Sequence, residues 1–170
     1  LQWTSRKGIC SANGKRSLAS LQHRVGSCGQ AQRRTRSHST GQTKMLIATN
    51  AEFGYSIRAQ GTTLTSGVNI IPSLSTTDVS RRGVSQFGLN FRANTNPATG
   101  SDPSGKGLGQ PVSGYNTVNM FRFNSGEIMA SYAYPDYYRT YTANYIVNVS
   151  SEQPPGVYVT TLTYIALATF

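Results

Sequence analysis

Acidic residues are missing from the first quarter of this chain. Residues 1–44 hold nine of the sixteen Lys and Arg and neither Asp nor Glu; residues 45–170 hold seven basic residues and all six acids. The formal charge of +10 therefore divides into +9 and +1, two segments with different physics. Charged residues are scarce overall, at 13% against roughly 25% in a typical soluble domain. Histidine is scarcer still. His23 and His38 are the two in the chain, and both precede Met45. Residues 45–170 thus lack the commonest general base and the commonest zinc ligand. The two cysteines, Cys10 and Cys28, also lie in the basic segment, which excludes a disulfide framework for the remainder. No apolar run approaches the ~18–20 residues of a membrane span. Residues 1–44 contain no apolar core of a signal peptide, so an export signal is not expected within this sequence.

A sustained helical period is absent as well. Ser17 to Val25 could form a short helix with Leu18, Leu21 and Val25 on one face, but two turns cannot hold themselves together. Residues 1–44 therefore read as a disordered or loosely attached basic arm. Their serine- and arginine-rich texture stops abruptly at Met45, which is also what an upstream reading-frame error produces.

What is present is β chemistry. Seventeen glycines, ten tyrosines and many Ser and Thr favour strands and turns. Met45 to Thr49 reads as a buried strand. Tyr55, Ile57 and Ala59 alternate with Ser56, Arg58 and Gln60. Val68 to Leu74 is interrupted by Pro72 and suits an edge. Phe87, Leu89, Phe91 and Ala93 share a face. Asn94–Gly114 is a loop with five glycines and three prolines, a length that is usually functional or disordered. Strands follow at Val118–Phe123 and Ile128–Tyr134.

The last thirty residues, Tyr141–Phe170, read as a long hairpin. Tyr141, Ala143, Tyr145, Val147 and Val149 share one face of its first strand. The turn is Ser150–Gly156. Val157–Phe170 carries apolar or β-branched residues on both faces, which predicts a central strand covered on both sides. About eight strands with no convincing helix predict an all-β domain over residues 45–170, a sandwich or a barrel.

Catalytic patterns do not converge. Gly100-Ser-Asp-Pro-Ser-Gly105-Lys106 opens like a phosphate loop, but Gly107 stands where Ser or Thr should hold magnesium, and no helix follows. It reads as a surface loop. A glycosidase pair such as Glu127 with Asp136 is conceivable; all six acids, however, sit in or beside predicted turns and read as solvated. No catalytic residue, metal site or cofactor is expected. Arg33, Arg34 and Arg36 form the densest basic cluster, and would contact phosphates if the arm binds nucleic acid.

Tyrosine is the most informative residue type, with eight of ten between 132 and 164. Tyr132, Tyr134, Tyr137 and Tyr138 crowd one corner. A tyrosine pairs a flat apolar face with a hydroxyl, so these four, with Arg139 at the rim, are the candidate ligand-binding residues.

Met45-Leu-Ile-Ala-Thr-Asn-Ala51, Gly54-Tyr-Ser-Ile57, Gln60-Gly-Thr-Thr-Leu64, Phe87-Gly-Leu-Asn-Phe91, Phe121-Arg-Phe123 and Pro155-Gly-Val-Tyr-Val-Thr-Thr-Leu-Thr-Tyr164 together resemble the WxL-type bacterial surface domains, and more narrowly the WxL-like secreted proteins of small-genome bacteria. The family's Trp-x-Leu is not present; Tyr55-Ser-Ile57 stands where one copy would be. The resemblance spans residues 45–170. It implies an immunoglobulin-like antiparallel β-sandwich, an extracellular or cell-surface location, and attachment to the envelope without enzymatic activity. The expected partner is then a cell-wall glycan or another envelope protein. A nucleic-acid-binding protein acting through residues 1–44 is the alternative.

Overall fold

A computed structural model describes residues 2–6, as backbone only, and residues 38–170. The described residues contain strands and no helix. In chain order the strands are β1 (Gln2–Arg6), β2 (His38–Thr49), β3 (Tyr55–Gly61), β4 (Leu64–Ser66), β5 (Asn69–Ile71), β6 (Asp78–Val79), β7 (Gln86–Asn90), β8 (Asn94–Thr95), β9 (Ala98–Thr99), β10 (Ser104–Gly105), β11 (Gln110–Pro111), β12 (Met120–Phe121), β13 (Ile128–Tyr132), β14 (Asp136–Asn148) and β15 (Leu162–Ala168). They form several antiparallel sheets. The largest runs β1-β2-β14, with β10 and β7 sharing the far side of β14; the second runs β11-β13-β3-β15; three two-stranded pairs complete the set.

The two larger sheets feed one hydrophobic core. Met45, Ile47, Phe87, Leu89, Tyr141 and Tyr145 enter it from the first sheet; Tyr55, Ile57, Ala59, Met129, Leu162 and Tyr164 enter from the second. Burying a large side chain of this kind contributes about 1.5–3 kcal/mol. Aromatic rings meet edge-on within the core, Phe87 with Phe123 at 5.3 Å and Phe91 with Tyr141 at 5.8 Å. That is the geometry their quadrupoles favour.

The strand expected to be central is not the central one. β14 is flanked by β2 on one side and by β7 and β10 on the other. Its core face is the expected Tyr141, Ala143, Tyr145 and Val147. Its opposite face, Thr142, Asn144, Ile146 and Asn148, is also sealed, each residue at most 1% exposed. Polar partners over that face make this possible. Thr142 Oγ1 meets Ser101 Oγ at 2.9 Å. Asn144 Nδ2 donates to the Arg92 carbonyl at 2.8 Å. Asn148 Nδ2 donates to Ser80 Oγ and to Gln86 Oε1, each at 2.9 Å. The amide donors of Asn144 and Asn148 are thus hydrogen-bonded, while their Oδ1 atoms have no partner among the described residues.

Among the described residues β15 is an edge strand, paired with β3 alone. The expected cover on both faces is not found: Tyr158, Leu162 and Tyr164 are buried on one face, while Val157, Val159 and Leu167 on the other are exposed. The predicted hairpin is not formed. β14 and β15 belong to different sheets; they meet across the shared core, where the Tyr145 and Tyr164 hydroxyls are hydrogen-bonded. Segments adjacent in sequence usually pair, but Ser150–Thr161 crosses from one sheet to the other instead.

The boundary expected at residue 45 falls inside β2, which begins at His38 and stays paired with β14 from His38↔Asn148 to Thr49↔Asp136. Gln2–Arg6 pair with Lys44–Ala48 on its other side. These parts of the segment taken as a loose arm are therefore within a sheet. The proposed helix at Ser17–Val25 lies outside the described residues.

Candidate functional site

One end of the fold gathers three corners. β2 leaves at Thr49 and β3 begins at Tyr55. β13 ends at Tyr132, opposite Tyr55, and β14 begins at Asp136, opposite Thr49. β15 ends at Ala168, also opposite Tyr55. Gly54 lets two of these corners touch. It has φ +72°, and a Cβ there would lie 2.0 Å from the Tyr132 carbonyl oxygen, so no other residue fits. Reciprocal backbone bonds at 3.0 Å, Phe53 N to Thr169 O and Thr169 N to Gly54 O, draw the chain's last residues to the same corner.

A β-bulge shapes the start of β14. Between the pairs Asp136↔Thr49 and Arg139↔Ile47, β14 advances three residues while β2 advances two. A bulge re-aims side chains. Here it sends consecutive tyrosines outward: Tyr137 is 74% exposed and Tyr138 47%, while Asp136 turns inward at 7%.

Asp136 anchors the bulge from beneath. Its Oδ1 accepts from the Leu108 amide at 2.7 Å. Its Oδ2 accepts from the Gly109 amide at 3.1 Å and from the Tyr55 hydroxyl at 3.1 Å. The Tyr55 hydroxyl also meets that of Tyr141 at 2.9 Å. The carboxylate reaches these amides because glycines line the approach. A Cβ at Gly107 would sit 2.5 Å from the Tyr137 carbonyl oxygen, and one at Gly109 would sit 2.0 Å from the Tyr55 hydroxyl. The segment flagged as a failed phosphate loop is thus a glycine strip packed against β14. The Gly107 amide donates to the Tyr138 carbonyl at 3.0 Å. Arg139 Nε donates to the Gly109 carbonyl at 3.0 Å.

Two phenols in this cluster are pushed up. For Tyr141 burial is the main cause, opposed by the hydrogen bond with Tyr55 and the positive charge of Arg139, and its pKa reaches about 12. For Tyr55 burial again leads, reinforced by the hydrogen bond to Tyr141 and the Asp136 charge. Both hydroxyls stay protonated and act as donors.

The four candidate tyrosines are brought to this end but not into one plane. Tyr137 and Tyr138 wall a shallow depression of about 800 Å³ whose other side is Ala48–Asn50. Tyr134 is 65% exposed; its ring meets that of the half-buried Tyr132 edge-on at 5.8 Å. Arg139 is half-buried and committed to the glycine strip. Phe53, Leu108 and Phe170 are exposed apolar residues attached to the same corners, and sequence reasoning did not include them. Single apolar residues in turns or at a terminus leave no periodic signal.

The acids are not uniformly solvated. Besides Asp136, Glu127 accepts from the Tyr115 hydroxyl at 2.7 Å and from Arg122 Nε at 3.0 Å. Burial alone would raise its carboxyl; the bonds from Tyr115, Arg122 and Asn124 hold it below the usual carboxylate range. Glu127 precedes β13 and Asp136 follows it, and each is occupied by its own partners. Among the described residues no group of three His, Cys, Asp or Glu is placed to hold a metal ion. Arg33, Arg34 and Arg36 lie outside the described residues. No protein-family model, no curated protein and no solved structure matches this chain.

Proposed function

We propose that this chain is a non-enzymatic, exported binding module of a bacterial cell envelope, with an immunoglobulin-like sandwich of the WxL-like kind, and that its contact surface is the Tyr132–Tyr138 end. The observation that carries the reading is the pair Tyr137 and Tyr138, held outward by a bulge that Asp136 fixes from within. Exposed tyrosines on a rigid backbone make contacts at low entropic cost. The ligand class they fit is a wall glycan. The C–H face of a sugar ring packs on a phenol ring, and the phenol hydroxyls and the Asn50 amide bordering the depression meet the sugar hydroxyls. The resemblance over residues 45–170 supports the same location and partner.

The test is co-sedimentation of the purified chain with isolated cell-wall glycan, comparing wild type with Y137S/Y138S. Both side chains are exposed, so the variant should melt within a few degrees of wild type. Binding should fall by about tenfold or more, the loss of ~1–2 kcal/mol expected for two stacking contacts. Equal binding by the variant would move the contact surface elsewhere. Retention that vanishes with salt and transfers to DNA would instead favour the nucleic-acid reading.

A further inference from the structure

β15 forms one edge of the second sheet, and no strand lies on its outer side among the described residues. Natural edges are blunted by lysine, proline, a bulge or shortness. The opposite edge of this sheet obeys that rule, since β11 is two residues long and contains Pro111. β15 does not. It is seven residues long, Leu-Thr-Tyr-Ile-Ala-Leu-Ala, with regular register against β3 throughout. No charged residue occurs between Gln153 and Phe170. Val157, Val159, Leu167 and Phe170, on or flanking the strand, are 62%, 43%, 49% and 82% exposed.

We propose that β15 pairs antiparallel with β15 of a second copy, joining two four-stranded sheets into one of eight strands. A strand that can occupy this edge must be extended, uncharged and apolar on both faces. Among the described residues β15 itself is an uncommitted strand of that description. Antiparallel self-pairing is two-fold symmetric and uses both free edges, so assembly stops at a dimer. One register pairs all seven residues: it is centred on Ile165 and sets Leu162 opposite Ala168, Thr163 opposite Leu167, and Tyr164 opposite Ala166. The nearest cation on the adjacent strand is Arg58, which faces Ile165 from β3. In the dimer the two Arg58 strands stand three spacings apart, about 14 Å. That exceeds the Debye length of ~8 Å at physiological salt, so the basic character of the chain does not oppose the contact.

Sedimentation velocity over a range of concentrations tests this on the full chain. Wild type should pass from monomer to dimer. T163K/L167K sets like charges opposite each other twice and should weaken the dimer by about tenfold or more. T163E/L167K sets opposite charges in the same places and should restore it. Thermal melts establish that each variant is folded; L167K alone, at an exposed position, serves if the double variant is not. A wild-type chain that stays monomeric overturns the proposal, as does a dimer indifferent to T163K/L167K. Failure of T163E/L167K to recover the dimer overturns the Ile165-centred pairing.

Discussion

Asp136 has no ion-pair partner among the described residues, yet three donors meet it at the tyrosine end: the amides of Leu108 and Gly109 and the Tyr55 hydroxyl. Asp136→Asn keeps the shape and replaces one acceptor oxygen by a donor, leaving at least one buried N–H facing another. The expected cost is about 2–3 kcal/mol, the range for losing charge-assisted bonds at a buried site. For a chain of this size that lowers the melting temperature by about 5–10 °C, measurable by calorimetry. Glycan binding, on the proposed reading, should fall with it, because the bulge that displays Tyr137 and Tyr138 loses its anchor. An unchanged melting temperature would mean that the glycine strip holds the bulge without the carboxylate. Little of this was legible beforehand. The density of tyrosines pointed to this corner, but not to the carboxylate beneath it. A single acid beside a proline, however, reads as a solvated turn residue, because its partners are backbone amides nearly thirty positions away in sequence.

At the scale of strands, hydropathy reported the core face of β14 and little about which strands are neighbours. The alternation Tyr141, Ala143, Tyr145, Val147 identified the core face of β14, because apolar burial leaves a period of two. In the last segment both faces are apolar or β-branched, so the pattern did not reveal that Tyr158, Leu162 and Tyr164 are buried while Val157, Val159 and Leu167 are exposed. The second burial of β14 was invisible. It is made by Thr142, Asn144 and Asn148 beneath other polar groups, and hydropathy cannot distinguish a buried amide from a solvated one. The start of β2 was hidden similarly: His38-Ser-Thr-Gly-Gln-Thr-Lys44 has no apolar residue, yet it lies along Thr142–Asn148. Its contribution can be read by truncation. A chain beginning at residue 38 keeps the full pairing of β2 with β14; one beginning at residue 45 loses seven register pairs and uncovers one side of the central strand. The shorter chain should melt at least about 10 °C below the other, the loss of several kcal/mol of strand pairing and burial. Equal melting would show that β14 does not need this neighbour.

For the molecule as a whole, the buried phenols set a pH limit. Tyr55, Tyr115, Tyr141, Tyr145 and Tyr164 are raised from the ordinary value of 10.0, Tyr141 and Tyr145 to about 12, with burial the leading cause in every case. In the unfolded chain these groups ionise near pH 10. A raised folded pKa means that the native state binds more protons between the two values, so stability falls as pH rises there. This contribution is fully present below pH 10 and is lost as pH climbs towards and beyond 12. The five groups add, so the alkaline edge should be steep and cooperative. Glu127 acts at the other end with the opposite sign. Its carboxyl is lowered from 4.5, so its contribution is present above that value and fades as pH falls below it. It is a single, partly exposed group, and its effect should be small beside that of the phenols. Two measurements on one sample check this. Phenolate absorbance and far-ultraviolet circular dichroism, followed from pH 8 upwards, should show a late tyrosine fraction ionising in the same step in which the β signal is lost. Ionisation of all ten tyrosines in one ordinary titration, with the fold intact, would contradict the buried hydroxyl pairs Tyr55–Tyr141 and Tyr145–Tyr164 that bridge the two sheets within their shared core.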